Sequence, residues 1–267
     1  MGARLPADTI TWPALRVVAR MHGSLPMGGV VPHTPIHAFE TTPDALKLGD
    51  ELPAATRHDI DLGGLLAFSI HHVVSADEAD RITAATERMG YRDEAPGIAT
   101  PPGMRMNKSV HWVADEALLG TVMARIGHLL PPDMLGAPLH PRFSHRLNMY
   151  RYDAQDVFNR HTDGDWPGYG LSEDRSEMLE WPGLRSGLTM LLYLNGPEDG
   201  VVGGNTRLYR RDGGWVDVVP KKGDALFFRH GFGPTSVVHE GRRVDSEVPK
   251  YVARINVMFG RAPGQPF

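Results

Sequence analysis

The 267-residue chain contains no cysteine. That excludes disulfides, thiolate zinc sites, iron–sulfur clusters and a cysteine nucleophile. It also lacks a surplus of one charge: 28 lysines and arginines face 32 aspartates and glutamates, a net charge of −4. Without a basic excess, neither nucleic acid nor an anionic membrane surface is expected as a partner. No run of about 18 uninterrupted apolar residues occurs, so no spanning helix is expected. The N-terminus has no basic stretch ahead of an apolar segment, so no signal peptide is expected either. These absences lead us to expect a cytoplasmic protein.

What remains is ordinary for a globular chain: 41% apolar and 22% charged residues, at a length that can bury a sizeable core. Glycine (30) and proline (22) together make up about a fifth of the chain, which suits a turn-rich β protein better than a helix bundle. Residues 1–60 are rich in Pro, Gly, Thr and His, as in SLPMGGVVPHTPIHAFETTP, and show no long periodicity. They are expected to form an N-terminal arm or lid, with one domain over 61–267. LLAFSIHHVV (65–74) reads as a buried strand, in which His71 and His72 are core or boundary residues. Ser75 and Glu78 form a capping-box signature, opening a helix through about Met89. Residues 92–108 read as a loop able to cover a site, and EALLGTVMARIGHLL (116–130) has the spacing of a second helix.

From Arg142 onward the pattern changes. RLNMYRYD, GLTMLLYLN, GNTRLYRR, GWVDVVP, DALFFRH, TSVVHEG and KYVARINVMFG are short runs rich in β-branched and aromatic residues, separated by turn segments such as RRDGG and PKKGD. Two helices (within about 76–130) followed by seven or eight strands (about 142–260) predict a mainly β fold with flanking helices. The expected class is α+β: a double-stranded β-helix of the jelly-roll or cupin-like type.

The sharpest chemical signal is FNRHTDGD. His161 and Asp163 are two residues apart, so on an extended strand end both side chains point to one face. His239, in TSVVHEG, is the candidate third ligand. Two imidazoles and one carboxylate on one face of an iron leave open positions for co-substrate and O₂, the arrangement of non-haem Fe(II) oxygenases. A lone His-x-Asp is common on protein surfaces, and thirteen histidines make a distal partner easy to find. Spacing alone therefore does not decide the matter.

The flanking residues are more specific. YRYDAQDVFNRHTDG resembles the Tyr-x-x-Gly-x-x-Phe-x-x-His-x-Asp run of the Fe(II)/2-oxoglutarate-dependent dioxygenase superfamily, prolyl-4-hydroxylase-like branch, through Tyr152, Phe158, His161 and Asp163. LTMLLYLN with GGNTRLY, VVPKKGDALFFRH, and HEGRRVDSEVPKYVARINVMF resemble the family's later segments in the right order, over about Arg142 to Phe259. A weaker likeness, MRMNKS and then a helix ending in LLPPD, extends it upstream. Two departures stand out. The family's glycine falls at Gln155, so that turn is expected to be made differently. The glycine usual before Lys-Tyr is replaced in DSEVPKY.

The resemblance implies an enzyme that uses Fe(II), 2-oxoglutarate and O₂, with His161, Asp163 and His239 as both metal ligands and catalytic centre. It implies that Lys250 or Arg254 grips the far carboxylate of 2-oxoglutarate; the two share parity on one strand. Lys250 aligns better, while Arg254 offers the bidentate geometry of guanidinium. Tyr152 matches the position whose phenol reaches the co-substrate in relatives. His230 aligns ahead of the distal strand and is left out of the ligand set. Arg105, Asn107, Asn148, Trp166 and Arg207 are candidate substrate contacts, and Thr206 could line the barrel mouth. The implied reaction is hydroxylation of an unactivated C–H bond with release of succinate and CO₂. Because Asp163 is present, hydroxylation is favoured over halogenation, with desaturation, epimerisation and ring closure open to the same chemistry. The Pro/Gly-rich N-terminal third and residues 164–185 supply covering material. They favour a small-molecule substrate, an amino acid or natural-product intermediate, over a prolyl residue in a protein or peptide. A jelly-roll metal-binding module that does not use 2-oxoglutarate is the alternative of a different class. The Lys250/Arg254 anion site separates the two.

Overall fold

The computed structural model describes residues 10–49 and 51–260. Residues 1–9, 50 and 261–267, which include the outer ends of both expected regions, lie outside the described residues. The chain opens with β1 (Leu15–Ser24), β2 (Val30–Phe39), β3 (Thr56–Asp59) and β4 (Ala67–His71), then helix α1 (Ala76–Met89). β5 (Ala95–Pro96), β6 (Lys108–Val113), helix α2 (Glu116–Ile126) and the short pair β7 (Asp133–Met134) and β8 (Ala137–Pro138) follow. The strand-rich part comprises β9 (Arg146–Tyr152), β10 (Phe158–His161), β11 (Pro167–Leu171), β12 (Met178–Tyr193) and β13 (Thr206–Tyr209). It continues with β14 (Trp215–Val218), β15 (Ala225–Arg229), β16 (His239–Gly241) and β17 (Lys250–Gly260).

The strands form a large sheet in the order β3-β4-β15-β12-β17-β9-β6-β2-β1-β5, with β11 paired to β12, and a small sheet ordered β10-β16-β13-β14. This is the expected mainly β architecture with helices to one side. Period-two alternation explains the layering. On β17, Ala253, Ile255, Val257 and Phe259 join the main core with Met190 and Leu192 of β12, Phe227 of β15 and Leu118, Leu119 and Val122 of α2. The intervening residues turn to the other face. There Leu191, Tyr193, Leu226, Phe228 and Val252 pack with Leu208 of the small sheet. One face of the large sheet thus buries the helices, and the other faces the small sheet across the site.

The helices start where the sequence predicts. Glu78 N–H donates to Ser75 Oγ (3.0 Å), and Ser75 N–H donates to Glu78 Oε2 (2.8 Å). Arg125 of α2 reaches the same buried Glu78 at 2.7 and 2.9 Å, fastening the two helices together. Among the described residues, no helix is long and apolar enough to cross a membrane.

Three local readings differ from the sequence expectation. Within the first sixty residues, β1 and β2 form a long antiparallel hairpin, and β2 joins the large sheet beside β6. The stretch 164–185 is a hairpin arm, β11 against the first half of β12. Gln155 takes the left-handed φ of +75° that a glycine would take there, held by its N–H donating to Val244 O (2.8 Å). The turn is therefore made in the glycine's way, at a cost to a non-glycine residue of roughly 1 kcal/mol.

Candidate metal centre and its two cavities

β10 and β16 are antiparallel neighbours, and their register sets His161 directly opposite His239. Asp163 follows on the chain just beyond β10. One ligand atom from each of His161, Asp163 and His239 lies within 4.8 Å of the others. His161 Nε2 is 3.7 Å from Asp163 Oδ1, and His239 Nε2 is 3.8 Å from Asp163 Oδ2. Each imidazole is oriented by its other nitrogen. Nδ1 lies 2.7 Å from Asn159 O in His161 and 3.2 Å from Val237 O in His239. A carbonyl only accepts, so each Nδ1 carries the proton and each Nε2 presents a lone pair to its partners. Phe158 stacks on His161 at 3.8 Å, and Phe228 lies against His239 at 4.3 Å. Burial lowers the pKa of both histidines, that of His239 to about 3. Neutral imidazoles and one carboxylate are the donor set that suits a divalent iron, so the residues present fit the metal.

Asp163 is held from behind. Burial alone would raise its pKa, but the charge of Arg254 and then the histidines bring it well below the usual carboxylate range. Arg254 Nε donates to Asp163 Oδ2 at 2.9 Å, and Thr189 Oγ1 donates to the same oxygen at 2.7 Å. Because Thr189 spends its proton there, its oxygen accepts from His230 Nδ1 at 2.7 Å. His230 Nε2 in turn lies 2.8 Å from Ser186 Oγ. His230 is thus two hydrogen bonds from the carboxylate rather than a ligand.

Two cavities meet at these residues. The narrower is lined by Tyr152, Leu191, Thr206, Val252 and Lys250, and shares Tyr150, Phe158, His161, Asp163 and Arg254 with the wider. Lys250 is 2% exposed and has no acidic partner among the described residues. Its ammonium donates to Gly204 O and sits 5.1 and 5.6 Å from the rings of Tyr152 and Tyr193. Gly204 has φ +67°, and a Cβ on it would lie 3.0 Å from Lys250 Cδ, so the lysine's place depends on that glycine. Burial pushes the Lys250 ammonium down to about 7. A desolvated cation with only a carbonyl to bind is a site for an anion.

The wider cavity, about 460 Å³, is walled by residues 97–101, Met104, 162–166 and Phe232. Of the candidate substrate contacts, Trp166 lines it. Arg105, Asn107, Asn148 and Arg207 line neither cavity. Arg105 is fully buried and donates to the main-chain carbonyls of Ser24, Asp93 and Asn107. Asn107 donates to Lys108 O, and Asn148 is buried opposite His111 and Arg254 in the sheet. Arg207 forms a bidentate pair with Asp217, both bonds at 2.7 Å, over the Trp215 ring. Sequence reading passed over Thr189, Phe232 and Arg146. Parity offered a signal for Arg146, which shares a strand face with Asn148, Tyr150 and Tyr152. Phe232 gave none.

Residues 147–258 match the family model of the 2OG-Fe(II) oxygenase superfamily. The match spans β9 to β17 and contains all three candidate ligands and Lys250. This part of the chain is similar to the oxygenases of that superfamily, which use Fe(II), 2-oxoglutarate and O₂. No curated protein matches the chain by sequence. Among solved structures, the viral collagen prolyl hydroxylase of Paramecium bursaria Chlorella virus-1, in its 2-oxoglutarate complex, superposes with a TM-score of 0.50. It is 16% identical, over 75% of this chain and 99% of that one, and it shows the shared double-stranded β-helix fold. A Pseudomonas putida prolyl-4-hydroxylase gives a TM-score of 0.47 at 20% identity, over 76% and 96% of the two chains. HygX from Streptomyces hygroscopicus, with nickel, 2-oxoglutarate and hygromycin B bound, gives 0.42 at 15%, over 75% and 85%.

Proposed function

We propose that this oxygenase hydroxylates an unactivated C–H bond of a small molecule. In this reading His161, Asp163 and His239 hold Fe(II). Lys250, beside Tyr152, takes the far carboxylate of 2-oxoglutarate, and Arg254 orients Asp163. Iron bound with 2-oxoglutarate and O₂ supplies the oxidising power for a C–H bond, with succinate and CO₂ released. The protein's own part is positional. The two Nδ1–H···O=C bonds keep both imidazoles neutral and aimed. Arg254 and Thr189 fix one carboxylate oxygen. Phe158, Phe228 and Leu191 keep the centre dry, which strengthens each electrostatic contact inside it.

The observation that carries the reading is the position of the triad at the junction of two cavities, one ending in an unpaired buried cation and one open and larger. Arg254 is already committed through Nε to Asp163, which supports Lys250 as the co-substrate anchor. The volume of the larger cavity is that of a small-molecule site, which supports a small molecule over a polypeptide. The test is a succinate-release screen over free amino acids, peptides and small metabolites. It runs beside anaerobic addition of Fe(II) and 2-oxoglutarate, which should give a weak visible charge-transfer band. His161→Ala should abolish both signals. Persistent succinate release in that variant would contradict the ligand assignment, and stimulation by peptides alone would overturn the substrate class.

A further inference from the structure

The face of the large sheet that borders the wider cavity carries more cationic donors than the metal centre and 2-oxoglutarate account for. Arg146 of β9 is 3% exposed; its Nε and Nη1 make no well-formed hydrogen bond, and the Tyr169 side chain, its ring 5.5 Å away, is the polar neighbour of the guanidinium. Its Nη2 donates to Pro96 O (2.8 Å) and to His111 Nδ1 (3.1 Å). Because a guanidinium only donates, His111 Nδ1 is the acceptor and His111 Nε2 carries the ring proton. That Nε2–H is also buried and unpartnered. Arg254, 4% exposed, lines the cavity with its Nη2 unpartnered. Among the described residues no carboxylate pairs with Arg146, and burial, then the charges of Arg146, Arg105 and Arg254, disfavour protonation of His111. Unsatisfied buried donors of one sign are costly to stability, and a bound anion would satisfy them together.

Arg254 lines the cavity, while Arg146 and His111 lie just behind its wall and line neither cavity. The Arg146 guanidinium lies 5.1 Å from the Trp166 ring, and a Cβ on Gly97 would come within 3.1 Å of Arg146 Nη2. Gly97 and Trp166 are both cavity walls. Gly97 has φ +70°, so the chain there favours the one residue that lets the backbone close on the guanidinium. Ile98, Pro101, Met104 and Phe232, the last 86% exposed at the rim, give the chamber an apolar part, beside the polar Thr100, Thr162 and Asp165, whose carboxylate is paired with Arg185 at 2.9 Å.

We propose that the substrate of this oxygenase carries a carboxylate, which Arg146 receives with His111 Nε2–H and Arg254 Nη2, while its apolar body lies against Trp166, Met104 and Phe232. The inference rests on reading the wider cavity as the substrate chamber. It makes Arg146 a specificity residue: an amide or ester of the same substrate would leave the donors unsatisfied. Such a site rejects the uncharged analogue strongly.

The test uses the full chain loaded with Zn(II), which supports no turnover, and with 2-oxoglutarate in excess. The probes are matched pairs of a carboxylate and its primary amide, from acetate and acetamide up to 3-phenylpropionate and 3-phenylpropionamide, with binding followed by ligand-observed NMR. The carboxylate of the aromatic pairs should bind at least about tenfold more tightly than the amide. Arg146→Gln should remove most of that preference while leaving the amide unchanged. If Gln at 146 unfolds the chain, Arg146→Lys, which keeps the charge on a different geometry, should weaken the carboxylate alone by about three- to tenfold. Equal binding of the members of each pair, including no binding by either, would overturn the proposal and assign the donors to ordered water. So would a preference that survives Arg146→Gln, or one that 2-oxoglutarate competes away. Because binding is read without turnover, a chain that released no succinate would fail the functional reading and leave this result to stand or fall separately.

Discussion

The two faces of the large sheet are made by the same strands and obey opposite rules. On β9, β12 and β17 the residues facing the helices are Leu147, Met149, Met190, Leu192, Ala253, Ile255 and Val257, all buried and apolar. The residues of the other parity include Arg146, Asn148, Thr189, Lys250, Arg254 and Asn256, equally buried and polar or charged, interspersed with the apolar Leu191, Tyr193 and Val252. A step of one residue thus separates a face that contributes stability from one that costs it. A buried cation with neither a carboxylate nor a set of main-chain carbonyls around it, unlike Arg105, costs stability. Its concentration on one face marks where the molecule is built to receive something else.

The contrast can be broken from either side. On the polar face, Asp163→Ala removes a candidate ligand and leaves Arg254 buried and unpaired. Succinate release should fall by roughly a thousandfold or more, since metal charge stabilisation is worth several kcal/mol. On the apolar face, Phe227→Ala deletes a fully buried ring stacked on Phe68 at 4.9 Å. Chemical denaturation should show a loss of about 3–5 kcal/mol, with turnover per folded molecule unchanged.

Lys250→Met should act on both properties in opposite directions. The affinity for 2-oxoglutarate should fall by about a hundredfold, the scale of truncating one partner of a buried charge pair, while the unliganded fold gains stability. The sign follows from the lowered pKa: with a folded-state value of about 7 against an ordinary lysine near 10.4, the unfolded chain holds the proton more tightly. The penalty is fully present below pH 7 and fades as pH rises from 7 towards 10.4. The stability gap between variant and wild type should therefore be widest near pH 6 and close by pH 10, as denaturant titrations can read. In the wild type, 2-oxoglutarate binding above pH 7 should take up a proton, measurable by calorimetry in buffers of different ionisation enthalpy.

The smallest effect concerns the turn before β10. Gln155→Gly should raise the melting temperature by an amount equivalent to at most about 1 kcal/mol. A loss would show that the side chain has a role beyond occupying a left-handed position.

The sequence made the strands around the candidate metal centre legible because their constraints are local. A His-x-Asp at a strand end, a Phe that stacks on the histidine, and a lysine opening the last strand all sit within short runs of clear alternation. The capping box of Ser75 and Glu78 was legible for the same reason. The β1–β2 hairpin was hidden. Its strands are only partly buried, with Pro32 and Pro35 inside β2, so neither apolar alternation nor strand composition shows. The β11–β12 arm was hidden by Pro167, Gly168, Gly170 and Pro182 in the same way. Gln155 was read as a changed turn because propensity disfavours glutamine at positive φ, and tertiary contact with Val244 overrides it. Which polar residues meet in space is a matter of register between β6, β9 and β17, and no single segment encodes it. Arg105 and Arg207 looked like substrate contacts by position alone, yet the folded chain spends the first on main-chain carbonyls and the second on Asp217.

The central claim is that side chains from two distant segments form one iron site. It is tested most directly by the Fe(II) retained after anaerobic gel filtration of wild type and of His239→Ala. We expect one iron per chain in the wild type and essentially none in the variant. Equal retention by both proteins would contradict the account.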